Sequence, residues 1–274
     1  MEDAVSRVID YPMATGVDAV GRLALVHRIY SPAGCEALLK AGLAPGMRVA
    51  DFGCGTGAMI RMLTALAGPD GSVTGIDVHA DQLEQAAQIC EFEAIRNAVF
   101  VTADARSTGL PSGSFDLVYC RSLLIHLKDP AACVEEMWRV LRPGGLLVVE
   151  EADLLSACSV PTGELNAFAG LFARLGQARG VDYSLGNRLW HLIADAGFAI
   201  TNVKIHQPAE RAGATGLLLK WSVMEAGPAL VSSGLIPPEE LARTIAAMEN
   251  AAGDPEVLAL APRMSIVSAR KRGN

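Results

Sequence analysis

Residues 47–57 read MRVADFGCGTG: an apolar run ending in Asp51-Phe52, then glycines at 53, 55 and 57 alternating with small residues. The run suits a central parallel strand buried on both faces. The glycines require that the strand stop abruptly, that the backbone turn tightly, and that no side chain stand where a ligand comes close. A helix follows from about Gly57, and its first turn offers unpaired N–H groups.

Outward from this stretch the pattern alternates. AMIRMLTALA reads as a helix closed by Gly68-Pro69, SVTGID as a strand, Asp81 to about Arg96 as a helix, and AVFVTAD as a strand. After the turn LPSGS come the strand FDLVYCR, a helix from Pro130 to Leu141, the turn RPGG and the strand LLVVEE. Strands alternating with helices imply βαβ crossovers and a parallel, doubly wound sheet. Upstream, 18–29 reads as a short amphipathic helix, and Ser31-Pro32 starts another, with Ser31 as N-cap and proline at the first helical position. Beyond Glu151 the rhythm breaks. Residues 153–182 hold a helical stretch and no clear strand, GNRLWHLIADAG is a helix, FAITNVKIH a strand, 208–259 mostly helical, and RMSIVSARK a final strand.

The bulk properties narrow the classes. The 274 residues are 51% hydrophobic and 19% charged, enough to bury a large core. A net charge of −7 argues against nucleic acid as the main partner, because phosphate binding needs a basic field; the basic ARKRGN terminus reads as a solvated tail. Six cysteines without a C-x-x-C pair argue against zinc or another metal and fit a reduced, cytoplasmic protein. The acidic MEDAVSRVID start lacks the apolar core of a secretory signal, and no stretch is apolar enough to span a membrane.

About twenty residues past the glycine loop, the second strand ends in GIDV, and an acid at that spacing hydrogen-bonds both hydroxyls of a ribose. Two nucleotide classes then compete. Gly53-x-Gly55-x-x-Ala58 satisfies the loose dinucleotide fingerprint, which keeps an NAD(P)-dependent oxidoreductase open. Asp51 favours the other class: a carboxylate just before the loop repels a pyrophosphate and suits an ammonium or sulfonium, both of which S-adenosylmethionine (SAM) carries.

VADFGCGTG, together with GIDV, TADARSTGLPSGSFDLVYCRSLLIHLKDP and VLRPGGLLVVEE, resembles the class I SAM-dependent methyltransferases, in particular the small-molecule branch that includes quinone-biosynthesis and natural-product enzymes. The resemblance spans roughly residues 45–152. It implies a Rossmann-like, seven-stranded, mainly parallel α/β sheet closed by a reversed hairpin, FAITNVKIH with RMSIVSARK, here interrupted by about fifty residues. The chain then divides into an N-terminal helical lid (1–45), a SAM-binding core (46–152), a helical cap insertion (153–182), a core continuation (183–206), a second helical cap insertion (207–260) and a last strand with basic tail (261–274).

The resemblance also implies roles. The backbone of Gly53, Cys54 and Gly55 holds the methionine moiety, with Asp51 favouring its ammonium. Asp77 takes the ribose hydroxyls and Val78 packs beside the adenine. Asp104, flanked by Ala103 and Ala105, accepts from the adenine amino group, and Cys120 and Arg121 end the strand beside the methyl donor, with a structural pairing to an acid near the pocket as the competing reading for Arg121. Tyr11 covers the donor site, with Arg22 anchoring the lid. His126 is the candidate general base, with pocket lining as the competing reading; His27 reaches the cofactor if the lid closes, and His191 is structural. Phe168, Phe172, Tyr183, Trp190, Trp221 and Met224 are candidates for an acceptor pocket or for cap core. The expectation is a cytoplasmic SAM-dependent methyltransferase moving a methyl group to a small, apolar or aromatic acceptor by in-line displacement, with a homodimer left open. A SAM-binding protein without transfer is the third reading.

Overall fold

The structure, a computed structural model, describes residues 20–273. Tyr11 and the rest of the first nineteen residues lie outside them. In chain order the elements are α1 (Val20–Ala41), β1 (Arg48–Phe52), α2 (Ile60–Ala67), β2 (Ser72–Asp77), α3 (Ala80–Phe92), β3 (Ala98–Thr102), β4 (Phe115–Arg121), α4 (Pro130–Val140), β5 (Leu141–Asp153), β6 (Cys158–Val160), α5 (Ala167–Arg179), α6 (Leu189–Asp195), β7 (Ala199–His206), β8 (Ala209–Arg211), α7 (Ala214–Ser232), α8 (Pro238–Gly253), β9 (Leu258–Leu260) and β10 (Arg263–Arg270).

The main sheet runs β3-β2-β1-β4-β5-β10-β7, with β10 antiparallel to both neighbours and the pairs from β3 to β5 parallel. This is the expected seven-stranded sheet with a reversed strand inserted near its end. β1 is buried from Val49 to Phe52, as a mostly apolar strand covered on both faces requires, with Asp51 the one charged residue in that buried run. The strand order reverses direction between β1 and β4, which leaves a crevice beyond their C-terminal ends.

Three local expectations change. The chain forms one helix from Val20 to Ala41 straight through Pro32, not two helices separated at Ser31. Proline removes one helical hydrogen bond, but Tyr30, Ala33, Ala37 and Leu38 are all buried, and that packing outweighs the break. Ser31 does not cap; its hydroxyl bonds His27 Nδ1 at 2.7 Å and accepts from Arg121 Nη1 at 2.9 Å. Second, β5 begins already at Leu141, with an irregular register across RPGG, so that stretch is part of the strand rather than a free turn. Third, the cap segments 153–182 and 207–260 are not purely helical: β6, β9 and β8 form a separate antiparallel sheet that ties the two together. Strands of three residues leave too short a trace of alternation to be read from sequence.

Candidate active site

One cavity of about 220 Å³ opens beyond the C-terminal ends of β1, β2 and β4. Its floor is the glycine loop. Gly53 and Cys54 donate to Ile76 O at 2.8 and 3.0 Å, which fastens the loop to the end of β2. Gly53 has φ +71°, and a Cβ there would meet the Leu123 side chain at 3.1 Å; Gly55 has φ +54°. These positions need glycine for conformation, and their bare backbone forms a cradle against the cavity.

Asp77 lies at the tip of β2. Its Oδ2 accepts from Gly55 N and its Oδ1 from His79 N, both at 3.0 Å, and His79 Nδ1 stands 3.2 Å away. A carboxylate has about four acceptor sites, so these bonds fix its orientation and leave lone pairs for a diol. The carboxylate in turn raises the His79 pKa. Asp51, from β1, is 3% exposed, and its Oδ2 has no hydrogen-bond partner. Burial pushes its carboxyl up to about 7, against the opposing pull of Arg121 and with further upward pressure from Asp77 and Glu150. A buried oxygen without a partner is costly unless a donor or cation arrives. The glycine cradle, the orphaned Asp51 oxygen and the oriented Asp77 carboxylate fit the methionine and ribose portions of SAM.

The remaining expected donor-site residues separate. Val78, Ala103, Ala105 and Arg121 line the cavity. Asp104 is not brought to it: Arg106 embraces its carboxylate through Nε and Nη2, at 2.6 Å for the latter, and holds its pKa low. Cys120 is fully buried on the opposite face of β4, since alternation sends Tyr119 and Arg121 to the cavity side and Cys120 away.

The upper wall comes from the caps and α1. Leu23, Val26, Leu154, Phe168, Phe172 and Leu218 make it apolar. The polar side chains among them already have partners within the protein: Tyr30 donates to Pro262 O, Ser222 to Leu218 O, and Arg22 Nε to Glu225 Oε2, at 2.8, 2.8 and 2.7 Å. Of the aromatic candidates, Tyr183 stands behind the wall, edge-on to Phe172 and His126. Trp221 packs on Gly21, while Trp190 and Met224 are exposed. His191 is exposed and its ring packs on Trp190, away from the cavity; His27 bonds Ser31 and does not line the cavity.

His126, half-buried, does line the cavity, but desolvation and the nearby Arg22 and Arg179 cations lower its pKa to about 3. An imidazole so reluctant to hold a proton is a poor general base at neutral pH. What positions it escaped the sequence reading. Glu151, fully buried at the end of β5, accepts from Leu124 N at 2.7 Å and Ile125 N at 3.3 Å through one oxygen and from Ala152 N at 3.0 Å through the other. Burial pushes its carboxyl up to about 8 against these bonds. It clamps the 3₁₀ turn Leu124–His126 to the sheet. Glu151→Ala leaves these buried amides unsatisfied and is expected to cost about 3 kcal/mol; an unchanged thermal melt would show that the turn stands without the clamp. Beside it, Tyr119 hydroxyl donates to the buried Glu150, whose second oxygen has no partner. The only signal for either glutamate was a pair of acids ending an apolar strand.

Residues 50–149 match the model of a family described as a methyltransferase domain. An uncharacterized methyltransferase of Schizosaccharomyces pombe is 32% identical over 154 residues, 54% of each chain. The 2-methyl-6-phytyl-1,4-hydroquinone methyltransferase of Synechocystis is 37% identical over 119 residues, 43% of this chain and 36% of that one. The chain therefore spans about half or less of the length of these relatives. Among solved structures, the YcgJ protein of Bacillus subtilis superposes with a TM-score of 0.58 at 19% identity, covering 86% of this chain and 97% of that one, which is a likeness of fold. Asp51, the glycine cradle and Asp77 all fall inside the stretch, residues 50–149, that matches the methyltransferase-domain model.

Proposed function

We propose that this chain is a SAM-dependent methyltransferase acting on a small, apolar or aromatic acceptor. The observation that carries the reading is the division of a single cavity: a bare glycine backbone with Asp51 and Asp77 on one side, and on the other an apolar wall whose Tyr30 and Ser222 hydroxyls are bonded within the protein. Bound SAM supplies a methyl group already activated by its sulfonium. The chain then has only to orient the acceptor and exclude water, which the Phe168, Phe172 and Leu218 wall is built to do. Asp77 orients the ribose, and Asp51 receives the ammonium. The Synechocystis relative, named for a hydroquinone with a phytyl chain, agrees with an apolar aromatic acceptor.

The six cysteines are free, which supports a reducing compartment, and no helix of the described residues is long and apolar enough to cross a membrane. The experiment is calorimetric binding of SAM, S-adenosylhomocysteine, NAD and NADP, followed by a screen of lipophilic phenols and quinols for S-adenosylhomocysteine release. Micromolar SAM binding with turnover is expected. Tight NAD(P) binding without SAM binding would overturn the proposal in favour of an oxidoreductase, and SAM binding without turnover on any acceptor would favour a binding protein.

A further inference from the structure

The donor half of the cavity holds one cation that the proposed function leaves without a task. Arg121 ends β4 and lines the cavity together with Asp51. Asp51 on β1 is the cross-strand neighbour of Tyr119 on β4, and Arg121 stands two residues beyond Tyr119, so all three share one face of the sheet. Glu150 on β5 is the neighbour of Arg121 on that face. The strand order β1-β4-β5 therefore sets the arginine between two acids. Helix α1 covers the group: Arg121 Nη1 donates to Ser31 Oγ at 2.9 Å, and Ser31 Oγ lies 2.7 Å from His27 Nδ1.

This guanidinium is oriented but not paired. Its one hydrogen bond goes to a neutral hydroxyl, and it forms no ion pair among the described residues. Burial raises the carboxyl pKa values of Asp51 and Glu150, and Arg121 is the chief influence pulling each down, so the charges are near one another. Neither carboxylate bonds it, however. Tyr119 hydroxyl donates to one oxygen of Glu150, while the other oxygen of Glu150 and Oδ2 of Asp51 are buried without a partner.

The end of the donor that meets Asp51 is a zwitterion, with carboxylate and ammonium on one carbon. On the methyltransferase reading above, we propose that Arg121 binds the carboxylate of the donor's methionine end while Asp51 binds its ammonium, so that the site selects the intact amino acid over a donor that has lost either charge. A guanidinium presents its N–H groups as a fork that matches a carboxylate, and the Ser31 bond holds that fork by Nη1 alone. Neither ligand charge then enters an apolar space unmatched. A carboxylate without the ammonium would stand close to Asp51 and Glu150 and be repelled. The acceptor is a poorer source of the carboxylate, because its wall of Phe168, Phe172 and Leu218 comes from the caps, whereas Arg121 projects from the sheet beneath α1.

The test is calorimetric titration at pH 8 with three thioethers of adenosine: S-adenosylhomocysteine, its aminopropyl analogue without the carboxylate, and its carboxypropyl analogue without the ammonium. The native protein is expected to bind S-adenosylhomocysteine at least about 30-fold more tightly than the aminopropyl compound, the size of one or two charge-assisted bonds. In Arg121→Gln the affinity for S-adenosylhomocysteine falls by about that factor, whereas that for the aminopropyl compound stays within about threefold, which also shows that the cavity is still built. Arg121→Lys keeps the charge without the fork and falls between. In Asp51→Asn the loss falls on S-adenosylhomocysteine and the aminopropyl compound, and the carboxypropyl compound binds no worse. Equal affinity of the native protein for S-adenosylhomocysteine and the aminopropyl compound, a comparison that needs no variant, would overturn the assignment. So would full affinity for S-adenosylhomocysteine in Arg121→Gln, or a loss there that falls equally on both ligands, which is what a merely structural arginine would give. Failure of the native protein to bind any of the three would instead overturn the donor reading, and this inference with it.

Discussion

In Asp77→Ala, affinity for S-adenosylhomocysteine falls by about 100- to 1000-fold while the protein stays folded. The carboxylate is placed to accept from two ribose hydroxyls, and hydrogen bonds to a charged group contribute roughly 1.5–3 kcal/mol each. Losing about 3–4 kcal/mol corresponds to that range of affinity. The substitution also releases Gly55 N and His79 N, now held at 3.0 Å, so the glycine loop loses its fixed distance from β2. Those amides lie in a half-open site and water can replace their partner, which keeps the cost to stability near 1 kcal/mol, a few degrees in melting temperature. Asp77→Asn retains one oxygen and is expected to fall between wild type and alanine, at a loss of about tenfold. Calorimetric titration beside a thermal melt distinguishes the cases. Undiminished affinity in a folded Asp77→Ala protein would place the ribose elsewhere.

The parallel core was legible because its signals are local and strong. β1 is apolar at Val49, Ala50 and Phe52 and is bounded by the Pro45-Gly46 turn and the glycine loop, and its neighbours β2 and β4 are likewise short, mostly apolar runs bounded by turn residues. The glycine loop was legible because positive φ admits few residues, and Asp77 because its distance from the loop is set by one βα unit. What stayed hidden depends on contacts distant in sequence. Asp104 occupies the expected strand end, but Arg106, two residues on, captures its carboxylate. The continuity of α1 through Pro32 rests on packing that only the assembled sheet supplies. Glu151 reads as the last residue of a strand until the chain from Leu124 to Ile125 folds over it. The Arg22–Glu225 pair joins residues 203 positions apart, and no periodicity announces it. His126 was found by its motif, yet its protonation was not, because burial and two arginines decide it.

Asp51 makes donor binding depend on pH, and the sign follows from its surroundings. Its carboxyl ordinarily ionises near 3.8, and in the folded protein near 7, chiefly through burial. The folded state thus holds this proton more tightly than the unfolded chain does. The stability associated with Asp51 is complete below about pH 3.8 and is lost as pH rises through about 7. An ammonium docked against the orphaned Oδ2 selects the ionised form, so binding below pH 7 must expel a proton. Affinity for S-adenosylhomocysteine, which keeps that ammonium, is expected to drop about tenfold for each pH unit below 7 and to level off above it. Calorimetry in buffers of different ionisation enthalpy would count close to one proton released at pH 6 and almost none at pH 8.5. Asp51→Asn separates the two effects. It removes the buried charge and so raises stability at pH 8, by on the order of 2–4 kcal/mol, while weakening the ligand and flattening the pH slope. His79 also titrates beside the site, its pKa raised by Asp77, and His79→Gln isolates its share: the slope persists there if Asp51 carries it. An affinity that is flat between pH 5.5 and 8.5 in the native protein would mean that the ammonium does not rest on Asp51, and that the glycine loop holds its ligand in another orientation.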